Sequence, residues 1–376
     1  MSLALATLRH EWRRFLPGLL SVTFAGVLML VQLGLLLGMF GTVTVLVDRA
    51  KADLWISSPE TQSVDQAQRI PASLAALAHL NPEVLRTETL SLDDAEWHVA
   101  DGPRLNVSLV GMEPDGDALA CPEPLRAALC DQLAEPMSVI VDSADLDKLG
   151  TDAGQLAEIN GHRVRVVAIS HGLRNIGGAY VFASRQTAAT LNVPPRSTRT
   201  DTSFVLAKLA PGTNADAVAQ RLQQQIGPQA FRVWTREGLS ASSQRYWVVE
   251  SGVGAGFLFS CLLGLVIGVV ITSQTLRAAV LGSVREYATF RAIGVPARKL
   301  GGVVLEQSLW IGGAGILLTL LTSVAIKLLA GLFDITLTLT VWAVVLAAVI
   351  GLVTAIVSGL MALRELYRLE PAELLR

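Results

Sequence analysis

The run "FLPGLLSVTFAGVLMLVQLGLLLGMFGTVTVLV", residues 15–47, holds 33 residues without a charge. A helix that crosses a hydrocarbon core of about 30 Å needs about 20 predominantly apolar residues, so this run can span a bilayer. At about 1.5 Å per residue it reaches about 50 Å, which predicts a helix projecting past the bilayer into the segment that follows. A cleavable signal also starts with basic residues, here Arg9, Arg13 and Arg14. Its apolar centre, however, holds only about 7 to 15 residues before a small-residue cleavage site. The run therefore reads as a permanent anchor.

Three further apolar blocks, 251–276, 300–335 and 336–363, are interrupted only by Glu306, Lys327 and Asp334. Across the chain 51% of residues are hydrophobic and 16% charged, against about a quarter charged in soluble domains. Residues 48–250, by contrast, have the composition of a soluble domain. The expected fold is a membrane protein of four transmembrane α-helices with a large α+β domain inserted between helices 1 and 2. The expected bounds are an amphipathic helix at 1–16, spans at 17–47, 251–281, 296–326 and 338–363, the large domain at 48–250, a short helix at 282–295, a loop at 327–337 and a tail at 364–376. The N-terminal arm, the segment 277–299 and the tail together carry 11 Lys and Arg against 5 Asp and Glu, whereas the large domain carries 18 against 25. The positive-inside bias puts the arm, the short helix and the tail in the cytoplasm and the large domain outside. The net charge of −2 hides this asymmetry and gives no footprint for nucleic acid.

Leu5, Leu8, Trp12 and Phe15 recur at helical spacing beside Arg9, Arg13 and Arg14, and Pro17 and Gly18 interrupt the pattern. This predicts a basic amphipathic helix in contact with membrane lipid at the interface. In the large domain, β-branched and aromatic content predicts strands at "DLWISS", "RLNVSLVGM", "SVIVD", "RVRVVAIS", "YVFAS", "SFVLAKL" and "FRVWTR". Asn160-Gly161 predicts a type I′ hairpin turn, because that turn needs positive φ at both central residues. "PASLAALAHL" and "NADAVAQRLQQQIG" read as helices, the second with an Asn cap and a terminal Gly. In "CPEPLRAALC" the pair Cys121 and Cys130 either forms a disulfide in an oxidising outside compartment or remains as two thiols of a helix.

Several chemistries find no support. No G-x-x-x-x-G-K-[ST] loop occurs, so the chain is not expected to hydrolyse ATP alone. His10, His79, His98, His162 and His171 show no metal-ligand spacing, and no catalytic or metal residue is assigned. "HGLRNIGGAY", residues 171–180, is Gly-rich but does not run from strand to helix in the dinucleotide pattern. GxxxG pairs occur at Gly34 with Gly38, Gly252 with Gly256, and Gly264 with Gly268. Such pairs let helix backbones approach closely, either between the first two spans or across a dimer.

Between the second and third blocks lies "LGSVREYATFRAIGVPARKL", residues 281–300. Gly282 is a helix stop; Ser283 and Glu286 form a capping box for a new short helix; Gly294 ends it and Pro296 opens the next. A stop, a capped helix, a second stop and a proline start predict a rigid elbow able to transmit movement. The alternative is an interfacial helix that only anchors the turn.

"REYATFRAIGVPARKL" resembles the coupling-helix region of FtsX-like permeases, the MacB or type VII ABC transporter superfamily, and within it the DevC group. "LRHEWRRFLPGLLSVTFAGVLMLVQLGLLLGMF" with "KADLWISSP", "GVGAGFLFSCLLGLVIGVVITSQTL" and "LEPAELLR" extend the resemblance over both ends and the spans, while 100–200 matches loosely. The resemblance implies a homodimeric permease of the bacterial inner membrane, with termini in the cytoplasm and the domain in the periplasm. It implies two copies of a separate ABC ATPase subunit, which binds the ATP and Mg, with no cofactor in this chain. It also implies a membrane-fusion adaptor and a TolC-like outer-membrane protein that receive a lipid-like or amphiphilic cargo. By the same resemblance Ser283, Arg285, Glu286, Tyr287, Phe290, Arg291 and Gly294 contact the ATPase. A related permease that extracts lipoproteins or activates a periplasmic hydrolase is an alternative. A membrane sensor is another, although only 13 residues follow Leu363.

Overall fold

The computed structural model describes residues 3–100, 102, 104–123, 125, 127–175, 178–192, 201–227, 230–282, 289, 296–332 and 337–368. The chain forms two units, Met1–Gly38 with Gly252–Arg376, and Met39–Ser251. In chain order the elements are α1 (Leu3–His10), α2 (Trp12–Val43), α3 (Val45–Arg49), β1 (Leu54–Ser57), β2 (Ile70–Pro71), α4 (Leu74–His79), β3 (Val84–His98) and β4 (Leu105–Met112). Then follow α5 (Ala127–Gln132), β5 (Ser138–Asp142), α6 (Leu146–Leu149), β6 (Leu156–Ile159), β7 (His162–Ser170), β8 (Ala179–Ser184), α7 (Arg185–Leu191) and β9 (Asp201–Thr202). The last are β10 (Phe204–Leu209), α8 (Ala215–Ile226), β11 (Arg232–Thr235), α9 (Arg236–Arg245), α10 (Val253–Gly282), α11 (Ala297–Leu332) and α12 (Val341–Arg368).

The second unit is α+β. Strands β11, β1, β10 and β3 lie side by side in that order, each pair antiparallel. With α4 between β1 and β3, and α8 between β10 and β11, this is the β-α-β-β-α-β arrangement of ferredoxin-like sheets. Leu54 and Ile56 point to the helical face, where Leu54 packs with Val218 and Leu222 of α8 and Ile56 with Leu74 and Ala78 of α4. Trp55 points to the other face and meets Phe204 edge-on, with ring centroids 5.3 Å apart. The period-2 alternation of a strand thus buries both faces of β1 in different cores.

The ferredoxin-like sheet is interrupted after its second strand by an inserted barrel. Strand β3 is 15 residues long; its first half pairs with β10, and its second half pairs with β4. From there the ladder runs through β8, β5, β7 and β6, and β6 returns to β3 at Trp97↔Ile159 and His98↔Glu158. Closing this circuit leaves the inserted strands no open edge. Trp97, Leu109, Val141, Ile159, Val166 and Val181 fill the interior, and Trp97 Nε1 donates to the Leu149 carbonyl at 3.0 Å.

The predicted strands and the two predicted helices of this unit are all present. Asn160 and Gly161 adopt φ of 50° and 81°, and the Asn214 side chain accepts from the Asp216 and Ala217 amides at 3.0 and 3.2 Å. Strand β3 is the longest strand and is missing from the sequence reading, because five charges (Arg86, Glu88, Asp93, Asp94, Glu96) mask its apolar positions. Most of these have fixed partners. Glu88 accepts from the Leu119 amide at 2.7 Å and pairs with Arg86, Asp93 pairs with Arg69, and Glu96 pairs with Arg104 at 3.0 Å. Burial pushes the Glu88 carboxyl up from its ordinary value, against the pull of the Leu119 amide and Arg86.

Among the described residues four helices are long and apolar enough to cross a membrane: Trp12–Val43, Val253–Gly282, Gly301–Leu332 and Val341–Ala362. Their bounds differ from expectation in two places. The first break falls at Glu11, between α1 and α2, and not at Pro17, which α2 absorbs in its second turn. The third span continues through Lys327 to Leu332, so the expected loop at 327–337 is mostly helix; Lys327 is exposed and its long stem can carry the ammonium toward an interface.

Cys121 and Cys130 are joined as a disulfide, with Cα atoms 6.4 Å apart, and both are buried. Peptide mapping of unreduced protein is expected to show Cys121 linked to Cys130; two free thiols would refute it. Trp97→Ala is expected to destabilise the second unit by about 3 to 5 kcal/mol, the cost of emptying a large core site, read as a lowered urea midpoint in near-UV circular dichroism of the full chain.

Candidate functional site

In the first unit α2 touches each of the other three long helices. Toward α10, Ser21 donates to the Gly268 carbonyl and Thr272 to the Gly18 carbonyl, both at 3.5 Å. Toward α11, Thr23 donates to the Gly315 carbonyl at 3.5 Å and Thr319 to the Thr23 carbonyl at 3.3 Å. Toward α12, Leu30 packs on Ala343 and Ala347. The Thr338 amide, just before α12, donates to the Gly34 carbonyl at 3.1 Å. These contacts are backbone-close because the residues are small, the packing that lipid favours when apolar burial between helices gains nothing.

The glycines locate the closest crossings. A Cβ on Gly26 would lie 2.6 Å from Thr319 Oγ1, and one on Gly315 would lie 2.7 Å from Val22 Cγ1. On α10, a Cβ on Gly264 would lie 2.8 Å from Leu28 Cδ2 and one on Gly268 3.0 Å from Ala25 Cβ. Leu28 can swing its end methyl aside, whereas Ala25 has no freedom to yield, so Gly268 is the stricter requirement. The pair Gly264 and Gly268 therefore sits at the contact of the first and second spans. Gly34 also sits at a contact, against Leu337 and Thr338, and Gly38 is buried. Gly252 and Gly256 depart from the expectation of helix packing, since nothing lies within 4 Å of a Cβ placed on either. Gly252 takes φ of 78° after the π-turn Tyr246–Glu250 and before α10. Its glycine serves a backbone turn that other residues adopt only with strain.

The elbow residues Ser283, Arg285, Glu286, Tyr287, Phe290, Arg291 and Gly294 lie outside the described residues. In the described part of the region α10 runs as far as Gly282, beyond which the predicted stop and capping box lie outside the described residues, and α11 begins at Ala297 directly after Pro296.

One acidic pair stands apart from the membrane helices, at the end of β5. Asp142 is fully engaged: it accepts from the Ala144 amide at 3.1 Å, from Ser170 Oγ at 3.0 Å and from the Leu173 amide at 2.9 Å. Asp145 is buried and has an oxygen without a hydrogen-bond donor. Burial raises its pKa, and exposed Lys148, 3.7 Å away, offsets that only in part. Among the described residues no group of three or more His, Cys, Asp or Glu side chains could hold a metal ion. The pair reads as a structural cost of the barrel rim.

Residues 258–371 match the family model of the FtsX-like permease C-terminal domain. This stretch, from α10 to beyond α12, is thus similar to FtsX-like permeases. No curated protein sequence matches the chain. Among solved structures, the periplasmic region of MacB from Actinobacillus actinomycetemcomitans is 10% identical, covers 52% of this chain and 94% of its own, and superposes with a TM-score of 0.37. The extracellular domain of the noncanonic ABC-type transporter YknZ from Gram-positive bacteria is 12% identical, with coverage of 49% and 100% and a TM-score of 0.34.

Ala25→Cys with Gly268→Cys, in a Cys261→Ser background, is expected to form an intrachain disulfide on oxidation, since the two Cβ positions are close enough to bridge. Ala25→Cys with Gly256→Cys is expected to give none; equal yields from both pairs would contradict the helix register. Gly268→Leu is expected to lower stability in detergent by about 1 to 3 kcal/mol through overpacking, while Gly256→Leu leaves the thermal midpoint unchanged. For Asp145 the raised folded pKa means that its ionised form opposes folding. Asp145→Asn is then expected to raise the urea midpoint at pH 7, with the gain shrinking as the pH falls through the folded pKa and absent below the ordinary value of 3.8.

Proposed function

We propose that this chain is the membrane subunit of an ABC-type exporter of the FtsX-like and MacB superfamily, DevC in type. In this reading it passes ATP-driven movement from a separate ATPase to its large periplasmic domain. The observation that carries the reading is the permease match over 258–371. The absence of a phosphate-binding loop from the sequence supports a division of labour in which two ATPase subunits bind ATP and Mg. The elbow residues, Glu286 and Phe290 above all, receive the ATPase. Their displacement moves α10 against α2.

The helix contacts suit that task. A crossing built of Gly264, Gly268, Ala25 and Ser21 presents smooth small-residue surfaces, along which packed helices can slide by small steps. Leucines interdigitated at the same place would lock one register. The working unit is a homodimer, and the periplasmic domain meets a membrane-fusion adaptor that leads to a TolC-like duct. The cargo is lipid-like or amphiphilic.

Photocrosslinking from position 290 in living cells tests the reading, with a photoreactive residue replacing Phe290 and mass spectrometry of the adducts. An adduct with a Walker-motif ATPase is expected. Labelling of lipid or of the chain alone, from protein shown to be inserted in the membrane, would overturn it.

A further inference from the structure

One groove of the membrane unit plays no part in this reading. It has a volume of about 250 Å³ and lies between the start of α2 and the middle of α11, with Leu8 of α1 at one end. Its walls are apolar: Phe15, Leu16 and Leu19 of α2 face Ile311 and Ala314 of α11, and Trp12 and Trp310 stand at the rim. Both tryptophans are about half exposed. Tryptophan is enriched at the level where lipid headgroups meet acyl chains, because its ring is apolar and its N–H is polar. Two of them on different helices at one groove mark that level.

The charge at the rim is one-sided. Arg14 is occupied, paired with Glu11 at 3.1 Å and donating to the Ala278 carbonyl. Arg9 and Arg13 are exposed and have no carboxylate partner among the described residues. Arg13 instead lies over the Trp12 ring, 5.6 Å from its centroid, which holds a guanidinium beside the groove mouth. Glu306 is one helical turn before Trp310 on α11 and forms no ion pair among the described residues, so the rim keeps an excess of positive charge.

We propose that this groove is a binding site for one anionic bilayer phospholipid. An acyl chain lies along Leu16, Leu19 and Ala314 under the two tryptophans, and the headgroup phosphate is held by Arg13 and Arg9. An apolar slot with the Arg13 guanidinium over its Trp12 and the exposed Arg9 next in the chain to its Leu8 matches a lipid that is apolar along its length and anionic at its head. The inference rests on the helices spanning a bilayer and not on an ATPase partner or a cargo, so its failure leaves the exporter reading untouched.

Native mass spectrometry of the purified full chain, titrated with phosphatidylglycerol and with phosphatidylcholine of the same acyl chains, tests it. The chain is expected to bind phosphatidylglycerol about tenfold more tightly, the scale of two arginines acting on an anionic lipid. Arg9→Gln with Arg13→Gln is expected to abolish that preference while phosphatidylcholine binding persists. Ala314→Trp, which fills the slot, is expected to weaken both lipids with the thermal midpoint retained. Equal affinity for the two lipids in the parent chain, or a preference that survives the double substitution, would overturn the proposal. So would a photoreactive residue at position 314 that labels a second copy or the chain's own C-terminal segment in place of lipid.

Discussion

Close backbone approach in a solvent without water governs the membrane unit. Lipid tails are as apolar as leucine, so two spans gain little by covering leucines with each other, and their contact must come from dispersion at short range and from hydroxyl-to-carbonyl bonds. Gly26, Gly264, Gly268 and Gly315 supply the short range, and Ser21, Thr23, Thr272 and Thr319 supply the bonds. All eight lie on α2 or on a helix face turned toward it. The first span is thereby a partner common to the other three, and a bulky residue at a single crossing would separate it from a neighbour.

In the second unit the corresponding constraint is strand β3. Its 15 residues belong to two sheets, so the ferredoxin-like layer and the barrel share one continuous backbone. Register in either half fixes the other, because a slip of one residue would turn Trp97 out of the barrel and Glu88 away from the Leu119 amide at the same time. Disposing of the charges along this strand is a condition of both folds. Arg69, Arg86, Arg104 and the Leu119 amide meet that condition.

What could be read from the sequence follows from how local each signal is. Runs without charge announce the spans, and Asn160-Gly161 announces its turn, because each depends on a few adjacent residues. Strand β3 was hidden because its polar residues are satisfied by partners distant in the chain, such as Arg69 for Asp93 and Leu119 for Glu88. The barrel was hidden for the same reason: its parallel pairs β4 with β8 and β5 with β7 join segments whose separation no local pattern encodes. At the helix contacts the GxxxG pattern found Gly264 and Gly268 but equally flagged Gly252 and Gly256, since spacing alone does not say which side of a helix has a neighbour. Gly26 and Gly315, which make tighter crossings, carry no such spacing. The lining of the apolar groove was legible only in part: Trp12 and Phe15 belong to an amphipathic pattern, but Trp310 joins them only through tertiary packing.

The inserted barrel also orders events in time. Strand β1 cannot complete its sheet until β10 and β11 exist, and β10 begins at Phe204, long after β3 has been made. The barrel strands, from the second half of β3 to β8, are all synthesised before that point. Loop closure costs less over short spans of chain than over long ones. Every strand of the barrel is therefore available on the growing chain before the ferredoxin-like sheet can be completed, and a closed barrel, by drawing the ends of the insertion together, shortens the effective distance between β10 and β1. The inserted body thus brings together the two ends of the layer that contains it.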